Sequence, residues 1–125
     1  NGGGSMTHPK TLKDIHKSYL ASGAKVIISN TFATCKHTLQ DAGEADNFNE
    51  LNSSAVKLAK ESCADLGRED ALVAGRISYW SFTGKHPNLD PLKSNISEQA
   101  DILADAGADL LMLEMMVDID RMMVL

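Results

Sequence analysis

Three times in this chain a helix-patterned stretch reaches a glycine and gives way almost at once to a short apolar run. The runs are VII at 26–28 after Gly23, ALVAGRI at 71–77 after Gly67, and DLLML at 109–113 after Gly107. Their apolar residues are consecutive and not alternate, so both faces ask for burial. That is the mark of strands in a parallel sheet covered by helices. If Gly23 is laid on Gly107, Leu20 falls on Ala104, Ala24 on Ala108, Val26 on Leu110, Ile28 on Met112, and Asn30 on Glu114. The offset, 107 − 23 = 84 residues, is two helix-plus-strand units, with the Ala71 strand as the unit between. A repeating β/α architecture with parallel strands follows.

The same echo ends both outer strands on a polar residue, Asn30 in one and Glu114 in the other. In parallel β/α folds the ligand sits at the carboxyl ends of the strands. Asn30 and Glu114 are therefore expected at the edge where a buried strand meets a solvent-accessible pocket.

Around these strands the periodicity predicts three helices. The first runs from Thr7, with Pro9 in its opening turn and Leu12, Ile15, Tyr19 and Leu20 on one face, until Gly23 stops it. The second covers Phe48 to Leu66, with Leu51, Ala55, Leu58, Ala59 and Ser62 on a common side. The third runs from about Ser97 to Ala106, capped by Ser94, Asn95 or Ser97. Residues 30–46 and 78–95 are expected as loops, the latter because it carries Gly84, Pro87 and Pro91. Asp118 onward opens another helix. Residues 1–6, NGGGSM, have no apolar pattern and are expected as a flexible lead-in, leaving 7–125 as the folded domain.

Length and charge narrow the class. At 125 residues the chain suffices for one domain, short of the roughly 250 residues of a closed (β/α)8 barrel. With 12 basic and 17 acidic residues it carries a net charge of −5. No cluster of Lys and Arg stands ready to meet a phosphate backbone or an anionic membrane, so a small-molecule substrate or another protein is the expected partner, and no nucleic acid or membrane. Cys35 and Cys63 are too few for a disulfide framework and suit a reducing cytoplasm, where the protein is expected. No apolar run reaches the 18 or so residues that span a bilayer.

Three motifs carry a family resemblance. HPKTLKDIHKSYLASGAKVIISNTF, starting at His8, resembles the second β/α region of the homocysteine S-methyltransferase family, with its strand ending Thr-Asn-Thr-Phe. VAGRIS at 73–78 is similar to the family's Val-Ala-Gly-Ser-Ile, and EQADILADAGADLLMLEMM at 98–116 to its Glu-Gln-Ala, Ala-Gly-Val-Asp and Ile-Glu-Thr-Met series. The resemblance implies a partial (β/α)8 TIM barrel, about strands 2 to 4 with their helices. It also implies zinc-assisted methyl transfer, in which three cysteine thiolates hold the metal and the metal holds homocysteine sulfur as the attacking thiolate. The family's Gly-x-Asn-Cys and Gly-Gly-Cys-Cys ligand segments and its early Asp-Gly motif do not occur here. Zinc is thus implied for a full-length family protein, none is expected on this chain alone, and the chain reads as an internal fragment.

By the same resemblance Glu114 receives the homocysteine amino group. The physics suits it, since an acceptor-only carboxylate among apolar walls pairs more strongly with an ammonium than it would in water. The competing reading is a solvated or Arg-paired glutamate, with Arg121 as the candidate partner. Asn30 and Thr31 match the family's Asn-Thr, and either binds ligand or holds loop backbone. No catalytic residue is assigned.

Other residues take blander readings. Cys35 and His37 form a C-x-H pair, but two ligands close no metal site. Cys63 and His16 lie on helix patterns and read as core and interface residues. Tyr79 and Trp80 either wall a methyl-donor pocket or pack under their own loop. Arg76 stands where the family usually has serine, and Met112, Met115, Met116, Met122 and Met123 read as adaptable core. The expectation is a fragment of a zinc-dependent methyltransferase acting on homocysteine with an unspecified methyl donor, and self-association through open barrel edges. The reading kept beside it is a non-catalytic α/β binding or assembly module; a nucleotide-binding domain is disfavoured because no Gly-rich turn follows a strand.

Overall fold

A computed structural model describes residues 3–124. The elements are α1 (Gly4–Thr7), α2 (Pro9–Ala21), β1 (Val26–Ile28), α3 (Lys36–Asp41), α4 (Phe48–Asp65), β2 (Leu72–Ile77), α5 (Leu89–Asp105), β3 (Leu110–Leu113) and α6 (Ile119–Met122). A 3-10 turn, Ala45–Asn47, leads into α4.

The three apolar runs form one parallel sheet in the order β1-β2-β3. Val26 pairs with Leu72 and Ile28 with Ala74; Ala74 pairs with Leu110 and Ile77 with Leu113. Each strand is entered from a helix through the same device. At Gly23 (φ 96°) and Gly107 (φ 103°) the backbone adopts a left-handed conformation that only glycine takes without strain. The next N–H, of Ala24 or Ala108, then donates back to Tyr19 or Leu103. This is the structural basis of the repeat seen in the sequence.

Alternation sorts the sheet into two faces. Ile27, Val73 and Ile77 point to the helical layer and are buried with Leu20, Val56, Ala59, Leu92, Ile96 and Leu103. Gly75 lies on this face, and a Cβ there would sit 3.1 Å from the Leu103 Cβ, so its lack of a side chain lets α5 approach. Leu111 and Leu113 share the face but remain 43% and 45% exposed, beyond the cover of α5. The opposite face carries Val26, Ile28, Leu72, Ala74, Arg76, Leu110 and Met112, with Val26 and Leu72 exposed at its lower end.

Several expectations are corrected. α5 begins at Leu89, not near Ser97, because Pro91 falls in its first turn, where a missing N–H costs nothing. Asn88 is its N-cap position, so the caps assigned to Ser94, Asn95 and Ser97 are overturned. The loop of residues 30–46 contains α3, too short for periodicity to reveal. Gly4–Met6 are not a loose lead-in but part of a helical turn: Ser5 is buried and its hydroxyl donates to the Leu51 carbonyl of α4. Asn1 and Gly2 lie outside the described residues. On α2, Ile15 and Tyr19 are exposed beside β1, and the residues that bury are His16 and Leu20.

Candidate functional site

The carboxyl ends of the strands gather the polar residues. The Glu114 backbone N–H donates to the Ile77 carbonyl, extending the β2–β3 ladder by one bond and fixing where its side chain leaves the sheet. Directly after it, Met115 holds φ 56°, uncommon for a residue with a side chain, and turns the chain away. Glu114 is two residues beyond Met112 and so shares its face, which by register is also the face of Arg76.

There Arg76 meets Glu114. The guanidinium Nε lies 2.5 Å from Glu114 Oε2, with the two side chains 27% and 34% exposed. The guanidinium also sits over the Phe32 ring, 5.4 Å from its centroid. The Arg76 Nε is buried without a directional hydrogen bond, so the contact is an ion pair and not an aligned one. The partner expected for Glu114, Arg121, instead pairs with Asp118 three residues before it, closing the first turn of α6.

Asn30 and Thr31 separate in role. Thr31 is fully buried; its hydroxyl donates to the Arg76 carbonyl at 2.6 Å and bonds the Ser29 hydroxyl at 2.8 Å. Of the two roles left open, its side chain takes the backbone one, locking the loop after β1 onto β2. Asn30 is half-buried and lines a groove of about 530 Å3 with Ser29, Arg76 and the α2 residues Leu12, Ile15, His16 and Tyr19. Its amide also abuts α1, where a Cβ on Gly4 would come within 3.0 Å. Arg76 therefore joins the groove that Asn30 lines to the carboxylate that follows β3. Sequence reasoning noted Arg76 only as a departure from the family pattern; its pairing follows from a register that the sequence does not print.

The loop after β2 is held by aromatic and sulfur contacts. Trp80 packs tilted against Phe32 (centroids 5.8 Å apart) and edge-to-face against Phe82 (4.4 Å). Tyr79 is buried, and its hydroxyl accepts from the Asp118 N–H at 2.7 Å, tying this loop to the segment after β3. Cys35 and His37 flank the start of α3: the thiol contacts Thr38 Oγ1 at 2.9 Å, and His37 Nε2 faces the Trp80 carbonyl at 2.9 Å. Burial pushes the Cys35 thiol up, away from the thiolate that binds metal, and pushes the His37 imidazole down. Cys63 is on α4, buried in the helical layer. Among the described residues no three His, Cys, Asp or Glu side chains converge on a metal-binding position. His37 turns to backbone carbonyls and Cys35 is held as a thiol, so this donor set does not fit zinc.

A parallel β/α sheet with Arg76 and Glu114 at its carboxyl edge defines a chain of the barrel-forming β/α class. The chain belongs to the homocysteine S-methyltransferase family, whose family model matches residues 3–125. It is 29% identical over 109 residues to betaine–homocysteine S-methyltransferase 1 of Danio rerio, covering 86% of this chain and 26% of that protein. To S-methylmethionine–homocysteine S-methyltransferase BHMT2 of Pongo abelii it is 28% identical, covering 87% and 28%. Its fold matches the Escherichia coli homocysteine methyltransferase MmuM in its oxidized form with a TM-score of 0.83 at 20% identity, over 97% of this chain and 47% of that one. The metallated form gives 0.83 and the apo form 0.74. The partial (β/α)8 barrel expected from the sequence is thus the fold observed. The chain spans under a third of the curated relatives it matches and about half of MmuM.

Proposed function

We propose that this chain forms the amino-binding end of a homocysteine S-methyltransferase site, with Glu114 accepting the substrate ammonium. The observation that carries the reading is the position of Glu114, one residue past β3 on the sheet face opposite the helices, in a chain of this family. A carboxylate there attracts an ammonium through a partly desolvated medium and orients the rest of the substrate along the strand ends. Asn30 adds a polar group from β1, and Thr31 positions the loop that carries it. Met112 and Phe32 supply apolar flanks.

Methyl transfer itself forms a sulfur–methyl bond on homocysteine while the donor's methyl bond breaks and its electron pair stays with the donor. The attacking species is a thiolate, which a metal or a base generates, and no described residue is assigned to that step. Zinc bound by further β/α units of the family barrel would lower the thiol's pKa. The cytoplasm is the compartment we assign, on the two buried free thiols; no described helix is long and apolar enough to cross a membrane.

A second reading is favoured by one observation. Arg76 already pairs with Glu114, so a non-catalytic module that kept the strand-end pocket is also internally consistent. Co-expression of the chain with the C-terminal half of MmuM, followed by Glu114→Ala, tests the choice. In the reconstituted barrel, homocysteine affinity should fall about tenfold or more while zinc content holds. Unchanged homocysteine affinity would remove Glu114 from the site and leave the binding-module reading standing.

A further inference from the structure

We propose that Arg76 and Glu114 act together as a recognition pair for a free α-amino acid, Arg76 taking the carboxylate and Glu114 the ammonium. The inference rests on the reading above for Glu114 and adds the residue that selects the other half of the zwitterion. Arg76 stands on β2 and Glu114 just past β3, on one sheet face and in direct contact. An α-amino acid carries its two opposite charges on a single carbon, so a ligand placed against this contact meets a complementary charge at each group.

The guanidinium is prepared for such a ligand. It is held over the Phe32 ring, 5.4 Å from its centroid. Its buried Nε lies against the Glu114 carboxylate but forms no aligned hydrogen bond to it or to another described residue. A guanidinium is a planar donor fork suited to a carboxylate, which it binds through two parallel bonds. Arg76 also lines the open groove with Asn30, which gives a ligand access to the pair from the β1 side. A purely structural ion pair would draw nothing from this access. The backbone of Arg76 is fixed independently by Ser29 and Thr31, so the side chain is free to differ without disturbing the strand.

Equilibrium dialysis of the chain with labelled homocysteine and labelled methionine, competed by analogues lacking one charge, tests the pair. The decarboxylated probe is 3-aminopropane-1-thiol and the deaminated one is 4-sulfanylbutanoate. Wild type should bind the zwitterions about tenfold or more tighter than either analogue. Arg76→Met should weaken homocysteine by about the same factor, leave the decarboxylated amine unchanged, and be partly rescued by Arg76→Lys. Glu114→Gln should show the converse, losing the amine and sparing the acid. Thermal melts of each variant separate a folding defect, which would reduce all probes alike and overturn the assignment. Binding of methionine but not homocysteine, still dependent on Arg76, would keep the pair and refute the homocysteine reading. Failure of both zwitterions to bind, or equal loss of homocysteine and the decarboxylated amine in Arg76→Met, would overturn the pair.

Discussion

Gly75 sits in the middle of β2 with its missing side chain aimed at α5. A Cβ there would lie 3.1 Å from Leu103 Cβ and 3.2 Å from Leu111 Cδ2, tight contacts of which the one to the fully buried Leu103 has little room to yield. Gly75→Val should therefore destabilise the fold by about 1–3 kcal/mol, measured as a shift of the denaturant midpoint. Gly75→Ala should cost less. At the same scale the site shows which residues a sequence can reveal. As residues just past strand ends, Glu114 and Asn30 were legible because a polar residue at the end of an apolar run stands out. Arg76 was not, because its partner lies on another strand and is found only through the register Arg76↔Met112. Thr31 was half legible: the motif marked it, but its hydroxyl is used by the Arg76 carbonyl.

At the level of elements, helices and strands were legible where glycines and apolar runs punctuated them, and lost where the signal was a prolyl turn or a short helix. Pro91 read as a loop signal because proline is compatible both with loops and with a first helical turn. What the sequence hid altogether is the polar joint that fastens α4 to its neighbours. Asn52 is fully buried; its amide donates to the Thr34 and Phe48 carbonyls, and its oxygen accepts from Thr34 Oγ1 and Gln99 Nε2. Asn52→Ala strands these partners and should cost about 2–4 kcal/mol, read from chemical denaturation. On α2, His16 is buried with its Nε2 unpartnered, and burial pushes its imidazole below the ordinary value. Folding thus favours the neutral form of His16, whereas the unfolded chain takes up a proton near pH 6.5. His37 is shifted the same way. Their stabilising effect is present above about pH 6.5 and is lost as pH falls below it toward the folded values. The melting temperature should drop between about pH 7.5 and about pH 5.5, and His16→Leu should reduce that drop. A melting temperature independent of pH over this range would contradict the burial of both rings.

For the whole molecule, the parallel sense of the strands was readable from the repeat, whereas the helical cover on one face alone was not. The residual question is what meets the sheet's other boundaries. Among the described residues β1 and β3 are both edge strands, and apolar surface is concentrated beside them. Ile15, Tyr19 and Val26 are exposed along β1; Leu111, Leu113, Met115, Val117 and Ile119 along and after β3. A closed barrel has neither edge, whereas an open parallel sheet presents unpaired backbone groups and apolar side chains to any partner. Sedimentation velocity on the purified 125-residue chain at micromolar concentration tests this most directly. An open part-barrel predicts dimers or larger assemblies that give way to a defined compact particle when the C-terminal half of MmuM is co-expressed. A stable monomer that unfolds in one cooperative step would show that the chain closes its own core, and would contradict the part-barrel account.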